Sequence, residues 1–145
     1  MSKSFDFQAA PGHLIRRAHQ TAVALFMQEA GNYGMTPVQF AVMNALIDEP
    51  GLDQVSLAAR VAFDAATSGS VLGRLESKGW IKREADPQDR RRKLLWATRE
   101  GEQTVQQMRR AVARVQERIL APLDKDERMQ LQHLLHKLVY AQRAS

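Results

Sequence analysis

The stretch best suited to chemistry is DPQDRRRK, residues 86–93, in which three arginines and a lysine stand side by side. Short apolar runs flank it, with WI before it and LLW after it. Cations packed this closely repel one another and destabilise a compact chain. The run therefore indicates either a phosphate-binding site or a solvated basic face, and charge alone does not separate the two.

Other residues suited to chemistry are few. The chain has no cysteine, which excludes disulfides and thiol chemistry. His133 and His136 have a spacing that can chelate a metal on a helix, but no nearby carboxylate completes a set, and two polar positions on a terminal helix explain them as well. There is no glycine-rich phosphate loop and no serine or threonine next to a base. We therefore expect no enzyme, no metal and no cofactor.

Length and charge describe the whole chain. Its 145 residues, 44% of them hydrophobic, suffice for a hydrophobic core that needs no disulfides or metal ions. No segment reaches the 18 apolar residues of a membrane span and no leader pattern is present, so we expect a soluble, cytoplasmic protein with no membrane partner. Residues 1–63 carry a net charge of −1, whereas 64–100 and 101–145 each carry +3.

Helical spacing predicts the elements around the basic run. A first helix over 13–30 is followed by one that opens with a capping box of Thr36 and Gln39. A short helix follows Asp53, and another extends from an Asp64 cap to Gly79. The sequences WIKRE and LLWA then predict two strands, and a long helix follows from 98. A final helix begins with a capping box at 124–127.

Two helices about a tight turn, followed by a hairpin, describe a winged helix-turn-helix. In that motif the start of the second helix faces base edges in the DNA major groove. The residues there are small or carry hydroxyls, as close approach requires, and Arg74 one turn on would reach phosphate. Close packing on a neighbouring helix would also explain small residues. The candidates are Ala65, Ala66, Thr67, Ser68, Gly69 and Ser70.

The hairpin tip favours the DNA interpretation. The negative potential of a narrow minor groove attracts arginine, and a slim hairpin can insert one. Arg90 and Arg91 are the candidates, with Arg92 and Lys93 completing the basic set. We expect Asp86 and Asp89 to hold the arginines and the turn through carboxylate–guanidinium contacts.

The order of elements, with LESKGWIKREADPQDRRRKLLWATREG at its centre, resembles the MarR family of bacterial transcription regulators. The resemblance implies a mainly α fold with a β-hairpin wing, and a homodimer that addresses a palindromic operator. It also implies a dimerisation region of residues 1–35 and 101–145 around a DNA-binding lobe of residues 36–100. AATSGS lacks the basic residue often found near its end in such regulators, so the operator sequence does not follow.

PGHLIRR and TPVQFAVMNAL further resemble the branch of the family that responds to aromatic carboxylates, which implies that Arg16 binds the carboxylate and that the protein is a repressor released by it. An interhelical salt bridge or a solvated face would also explain Arg16. A regulator with another inducer or none, and a helical protein-interaction module, stay open as alternatives. The other candidate ligand residues are His19, Gln20, Phe40, Met43, Asn44 and Met108.

Overall fold

The computed structural model describes residues 4–63 and 65–141, and the predicted cap Asp64 lies outside them. Within these residues the chain is mainly helical with one small antiparallel sheet, which confirms the predicted fold class. Short 3-10 turns stand before and after the first helix, at Phe7–Ala9 and Gly31–Tyr33. The order is α1 (Pro11–Ala30), α2 (Pro37–Asp48), β1 (Leu52–Asp53), α3 (Gln54–Val61), α4 (Ala65–Ser77), β2 (Ile81–Ala85), β3 (Lys93–Ala97), α5 (Arg99–Leu120) and α6 (Lys125–Ala141).

The chain divides into two compact units. The central unit is Phe26–Val112, and the terminal unit consists of the described residues on either side of it. Helices α1 and α5 each contribute residues to both units.

Local hydrogen bonds set where the helices of the central unit begin. Thr36 Oγ1 accepts from the Gln39 N–H at 3.2 Å, and Gln39 Oε1 accepts from the Thr36 N–H at 3.0 Å, which confirms the predicted capping box of α2. Asp53 caps α3 by accepting from the Ser56 N–H at 3.1 Å. Helix α3 ends at Ala62, which has a left-handed φ of 60°.

The sheet has the order β1-β3-β2, with both pairs antiparallel. Strand β3 is therefore central, and Leu95 lies opposite Leu52 of β1 on one side and Arg83 of β2 on the other. Two predicted strands are confirmed, whereas β1 was not predicted because two residues show no alternation. Through β1, the hairpin is hydrogen-bonded to the segment that begins α3.

The core of the central unit is made mainly of aliphatic and methionine side chains from its helices and sheet, and Phe26 and Trp80 are also buried. Gly101 near the start of α5 allows close packing, since an added Cβ would lie 2.3 Å from the Trp80 carbonyl oxygen. The largest fully buried side chains of this unit are Met35, Val42, Met43, Leu46, Leu57, Leu72, Leu75, Leu95, Val105 and Met108.

The terminal unit contains the final helix. Asp124 and Glu127 form the predicted capping box, with N–H to carboxylate distances of 3.0 and 2.9 Å. Many large apolar side chains of this unit are exposed in the single chain. They are Phe5, Phe7, Leu14, Ile15, Met129, Leu134, Leu135, Leu138, Val139 and Tyr140.

Candidate DNA-binding surface

Helices α3 and α4 form a helix-turn-helix within the central unit. The turn is tight because Ala62 adopts the left-handed conformation and the Phe63 N–H donates to the Ala58 carbonyl at 3.2 Å. Leu57 of α3 and Leu72 of α4 are both fully buried. Burial of these inner faces leaves the opposite face of α4 to solvent.

The start of α4 presents most of the predicted base-reading residues. Ala66, Thr67, Gly69 and Ser70 are exposed. Ser68 is different, because it is 2% exposed and its side chain therefore does not belong to that face. Ala65 is the first residue of the helix. Arg74 is exposed one turn further along.

Two glycines of α4 have free space above them. Suppose a Cβ is added to Gly69 or Gly73. Apart from the adjacent residues and the nearby backbone of α4 itself, no atom of the described residues lies within 4 Å of it. Glycine inside a helix destabilises it by about 0.5–1 kcal/mol relative to alanine. Packing within the described chain therefore does not require these glycines, which contradicts the packing explanation for both positions.

The wing tip is a compact turn built on two aspartates. Asp86 Oδ1 accepts from the Gln88 N–H at 2.9 Å, and Asp89 Oδ1 accepts from the Arg91 N–H at 3.1 Å. The predicted direct contact of Asp89 with a guanidinium is wrong among the described residues, where its carboxylate holds the backbone of the turn, although its charge still contributes to raising the pKa of Arg92. Asp86 does contact a guanidinium, with Arg92 Nη1 3.6 Å from Oδ2.

The cations of the tip fall into two groups. Arg90, Arg91 and Lys93 are exposed, and none of them has a carboxylate within 4 Å in the part of the chain that the structure describes. Arg92 is paired, because its Nη2 donates to Asp53 Oδ1 at 3.0 Å. Among the described residues, the tip therefore presents to solvent three positive charges that no carboxylate within 4 Å compensates.

Asp53 was predicted only as the residue before α3, and no local sequence pattern indicated its contact with the wing. Its carboxylate accepts from the Ser56 hydroxyl at 2.6 Å and from Arg92 at 3.0 Å. These two hydrogen bonds, the hydroxyl first and the guanidinium second, hold the pKa of Asp53 well below its ordinary value. The same pairing raises the pKa of Arg92 further.

A groove of about 370 Å³ lies between the wing and the helix-turn-helix. It joins residues from the start of α3, from α4 and from the tip, so these segments face one open space. Its lining consists of Asp53, Gln54, Val55, Ala58, Ser68, Arg91, Arg92 and Lys93.

The predicted ligand residues of the central unit differ in exposure. Met43 and Met108 are fully buried and present no surface to a ligand in this structure. Phe40 and Asn44 are half-buried, and the Asn44 amide donates to the Phe40 carbonyl at 2.7 Å. Only the latter two can contribute exposed surface.

The predicted ligand residues of the terminal unit are on α1. Arg16, His19 and Gln20 are all exposed. A guanidinium nitrogen of Arg16 lies 3.3 Å from His13 Nδ1. The Arg16 guanidinium thus has an imidazole rather than a carboxylate as its neighbour among the described residues.

Two further features concern metals and membranes. Within residues 4–63 and 65–141, no group of three or more His, Cys, Asp or Glu side chains could hold a metal ion. His136 packs on Tyr140, with ring centroids 4.4 Å apart. No helix in the same ranges has the length and apolar character to cross a membrane.

Comparison with known proteins places this architecture. The profile of the MarR family matches residues 33–92. The transcriptional regulator HosA of Escherichia coli O111:H- is 33% identical over 129 residues, which are 89% of this chain and 94% of HosA. The chain belongs to the MarR family. This MarR-family chain is thus a DNA-binding transcription regulator, and its family are not enzymes.

Two other similar proteins are transcriptional repressors. The repressor NicR of Pseudomonas putida is 30% identical to this MarR-family chain, over 93% of the chain and 85% of NicR. The transcriptional repressor CouR, solved bound to a 23-mer DNA duplex, has a TM-score of 0.86 at 26% identity and covers 96% of this chain and 99% of its own.

Two solved structures concern ligands. PcaV of Streptomyces coelicolor, in complex with its natural ligand, has a TM-score of 0.87 and 36% identity, and the match covers 95% of this MarR-family chain and 97% of PcaV. BpsR of Bordetella bronchiseptica, whose DNA binding is regulated by 6-hydroxynicotinic acid, has a TM-score of 0.89 and 31% identity. The match covers 95% of this chain and 99% of BpsR.

Proposed function

We propose that this MarR-family regulator binds a palindromic operator as a homodimer and represses transcription until a small aromatic carboxylate releases it. Helix α4 reads bases in the major groove, and the wing inserts Arg90 or Arg91 into the adjacent minor groove. The observation that carries the proposal is the tip, where cations with no carboxylate partner among the described residues stand beside the exposed start of α4.

Helix α4 supports the major-groove assignment. The exposed residues at its start, Ala66, Thr67, Gly69 and Ser70, are small and partly polar. The open space above Gly69 leaves room for a base or a sugar to approach the backbone. We leave Ser68 out of the base-reading set because it is buried. Arg74, one turn on, is assigned to a phosphate.

The terminal unit supports the homodimer. Its exposed apolar side chains come from the N-terminal segment and from α6, both within the proposed dimerisation region of residues 1–35 and 101–145. Water-exposed apolar surface of this extent favours association. A dimer also presents two copies of α4 and two wings, which a palindromic operator requires.

The effector assignment rests on relatives and on the terminal unit. BpsR is regulated by 6-hydroxynicotinic acid, an aromatic carboxylate, and NicR is a repressor. We assign Arg16 to the carboxylate because a guanidinium binds carboxylates in bidentate geometry and no described carboxylate engages it. His19, Gln20, Phe40 and Asn44 are the further candidates, and Met43 and Met108 would need to become exposed first.

The first test is binding of DNA by the purified protein. A duplex is selected from a random library, and its affinity is followed by fluorescence anisotropy across a range of salt concentrations. We expect log affinity to fall steeply with log salt, since each neutralised phosphate releases about 0.9 counterion. An affinity for the duplex that does not change with salt concentration would contradict the proposal and favour a protein-interaction module.

The second test is release by an effector. Benzoates, hydroxybenzoates, cinnamates and 6-hydroxynicotinic acid are titrated into the complex of wild type, Arg16→Ala and Arg17→Ala with the selected duplex. We expect all three proteins to bind the duplex with similar affinity. A hit should release wild type and Arg17→Ala, the control with the same charge change. Equal release of Arg16→Ala would remove Arg16 from the effector site.

A further inference from the structure

Arg92 differs from its two neighbours in having carboxylates on both sides. Its guanidinium lies 3.0 Å from Asp53 and 3.6 Å from Asp86. The side chains of the two aspartates are 11% and 13% exposed, whereas that of Arg92 is 53% exposed. The carboxylates are therefore shielded from water by the surrounding structure, and Arg92 supplies the charge that compensates them.

The two carboxylates belong to different elements. Asp53 ends β1 and caps α3, so it is fixed to the helix-turn-helix. Asp86 begins the wing loop, where its N–H donates to the Arg92 carbonyl at 2.9 Å and its carboxylate accepts from Gln88. One guanidinium thus connects the helix-turn-helix with both ends of the wing loop.

The sheet explains why this contact can control the wing. The β1–β3 pair is short, with only Leu52 opposite Leu95 and Asp53 opposite Leu94. Beyond that pair the wing loop extends past the sheet, and its contact with Asp53 is made by the Arg92 side chain. Because the Arg92 side chain holds this loop at one further point, the loop is less free to move relative to the sheet.

We propose that Arg92 is a positioning residue, which holds the wing tip at a fixed place relative to α4 so that Arg90 and Arg91 meet the DNA. Arg92 itself then does not contact DNA, although the sequence analysis included it among the basic residues of the wing. The inference rests on the proposed DNA-binding function.

The direction in which Asp53→Ser changes the affinity for DNA distinguishes this positioning role from an effect of net charge. Asp53→Ser removes the carboxylate that holds Arg92, while serine still caps a helix well. It also raises the net charge by one, which by itself would strengthen binding to DNA. Glu84→Gln is the matched control, because Glu84 is an exposed wing residue paired with Lys82 at 3.3 Å and does not touch Arg92.

The experiment measures the affinity of each variant for the selected duplex and for a random duplex over a range of salt, after circular dichroism has shown it folded. We expect Asp53→Ser to bind the selected duplex about ten-fold more weakly, with an unchanged salt slope and undiminished binding to random DNA. Arg91→Ala, by contrast, should lower the slope by about one. If Asp53→Ser does not fold, Asp53→Asn replaces it with the same expectation, because asparagine also caps a helix but carries no charge to pair with Arg92.

Two results would overturn the proposal. If Asp53→Ser binds the selected duplex as tightly as Glu84→Gln does, the contact does not position the wing. If Arg92→Ala lowers the salt slope as much as Arg91→Ala does, Arg92 is a direct phosphate contact. Failure of the wild type to select any duplex would instead refute the proposed function, and the positioning role with it.

Discussion

At the scale of single residues, Asp53 gives the fold a dependence on pH. Its pKa in the folded chain is held below the ordinary value of about 3.9 by Ser56 and Arg92. As pH falls through about 4, the unfolded chain takes up this proton before the folded chain does. The stabilisation from Asp53 is therefore complete above about pH 5 and declines as the solution becomes more acidic.

This decline can be measured against Asp53→Asn, which keeps a capping side chain but has no charge to titrate. We expect the difference in free energy of unfolding between wild type and the variant to be largest near neutral pH and to shrink toward pH 2–3. Urea unfolding at several pH values gives that difference. A difference that stays constant over this range would show that the pKa of Asp53 is not lowered.

The types of the wing residues were predictable from sequence, but their individual roles were not. Arg90, Arg91 and Arg92 are identical and adjacent in the chain, so no local pattern distinguishes them. The partner of Arg92 is 39 residues away, and the antiparallel β1–β3 pairing brings it close. The burial of Ser68 likewise depends on how α4 packs, which its mixed small and polar sequence does not specify.

At the scale of elements, two helical glycines lead to opposite predictions. Gly69 on α4 has open space above it, so Gly69→Ala should raise the free energy of unfolding by about 0.5–1 kcal/mol. Gly101 on α5 is buried against the Trp80 carbonyl, so Gly101→Ala should lower it by about 1–3 kcal/mol.

Each of these two variants is the control for the other, since both make the same chemical change inside a helix. Thermal and urea unfolding give the two free energies. A decrease for Gly69→Ala would mean that the folded chain requires this glycine, and the space for DNA would lose its support. If the free energy of unfolding of Gly101→Ala equals that of the wild type, α5 shifts to accommodate the methyl group.

Sequence predicted the elements best where the signals were local. The capping boxes at Thr36 and at Asp124 involve residues three apart, and both are confirmed. Strand β1 was missed because its two residues become a strand only by pairing with β3. The end of α3 at Ala62 has no glycine to mark it, although its backbone is left-handed.

At the scale of the whole molecule, the exposed apolar side chains of α6 predict the assembly state. Leu134 and Leu138 are 55% and 54% exposed and stand one turn apart on the helix. If a second copy covers them, Leu134→Glu with Leu138→Glu places charges in an apolar interface and should dissociate the dimer. Sedimentation should then give the monomer mass, and affinity for the selected duplex should fall because each monomer reaches one half-site.

Val38→Glu is the matched control for this pair. Val38 is 44% exposed on α2 of the central unit, so the same apolar-to-charged change falls outside the proposed dimerisation region. We expect this variant to keep the wild-type mass. A wild-type mass for the Leu134→Glu, Leu138→Glu protein would place the dimer interface elsewhere or rule out a dimer.

The sheet order has a consequence for aggregation. Strand β2 is at the edge, where unpaired backbone groups can recruit a strand from another molecule. Its middle residues are Lys82, Arg83 and Glu84, and charged side chains on an edge oppose such recruitment. Among the described residues the other edge strand, β1, is only two residues long. Growth of the sheet into a fibre is therefore disfavoured at both edges. The wing can stay exposed to solvent in the absence of DNA without causing the protein to aggregate.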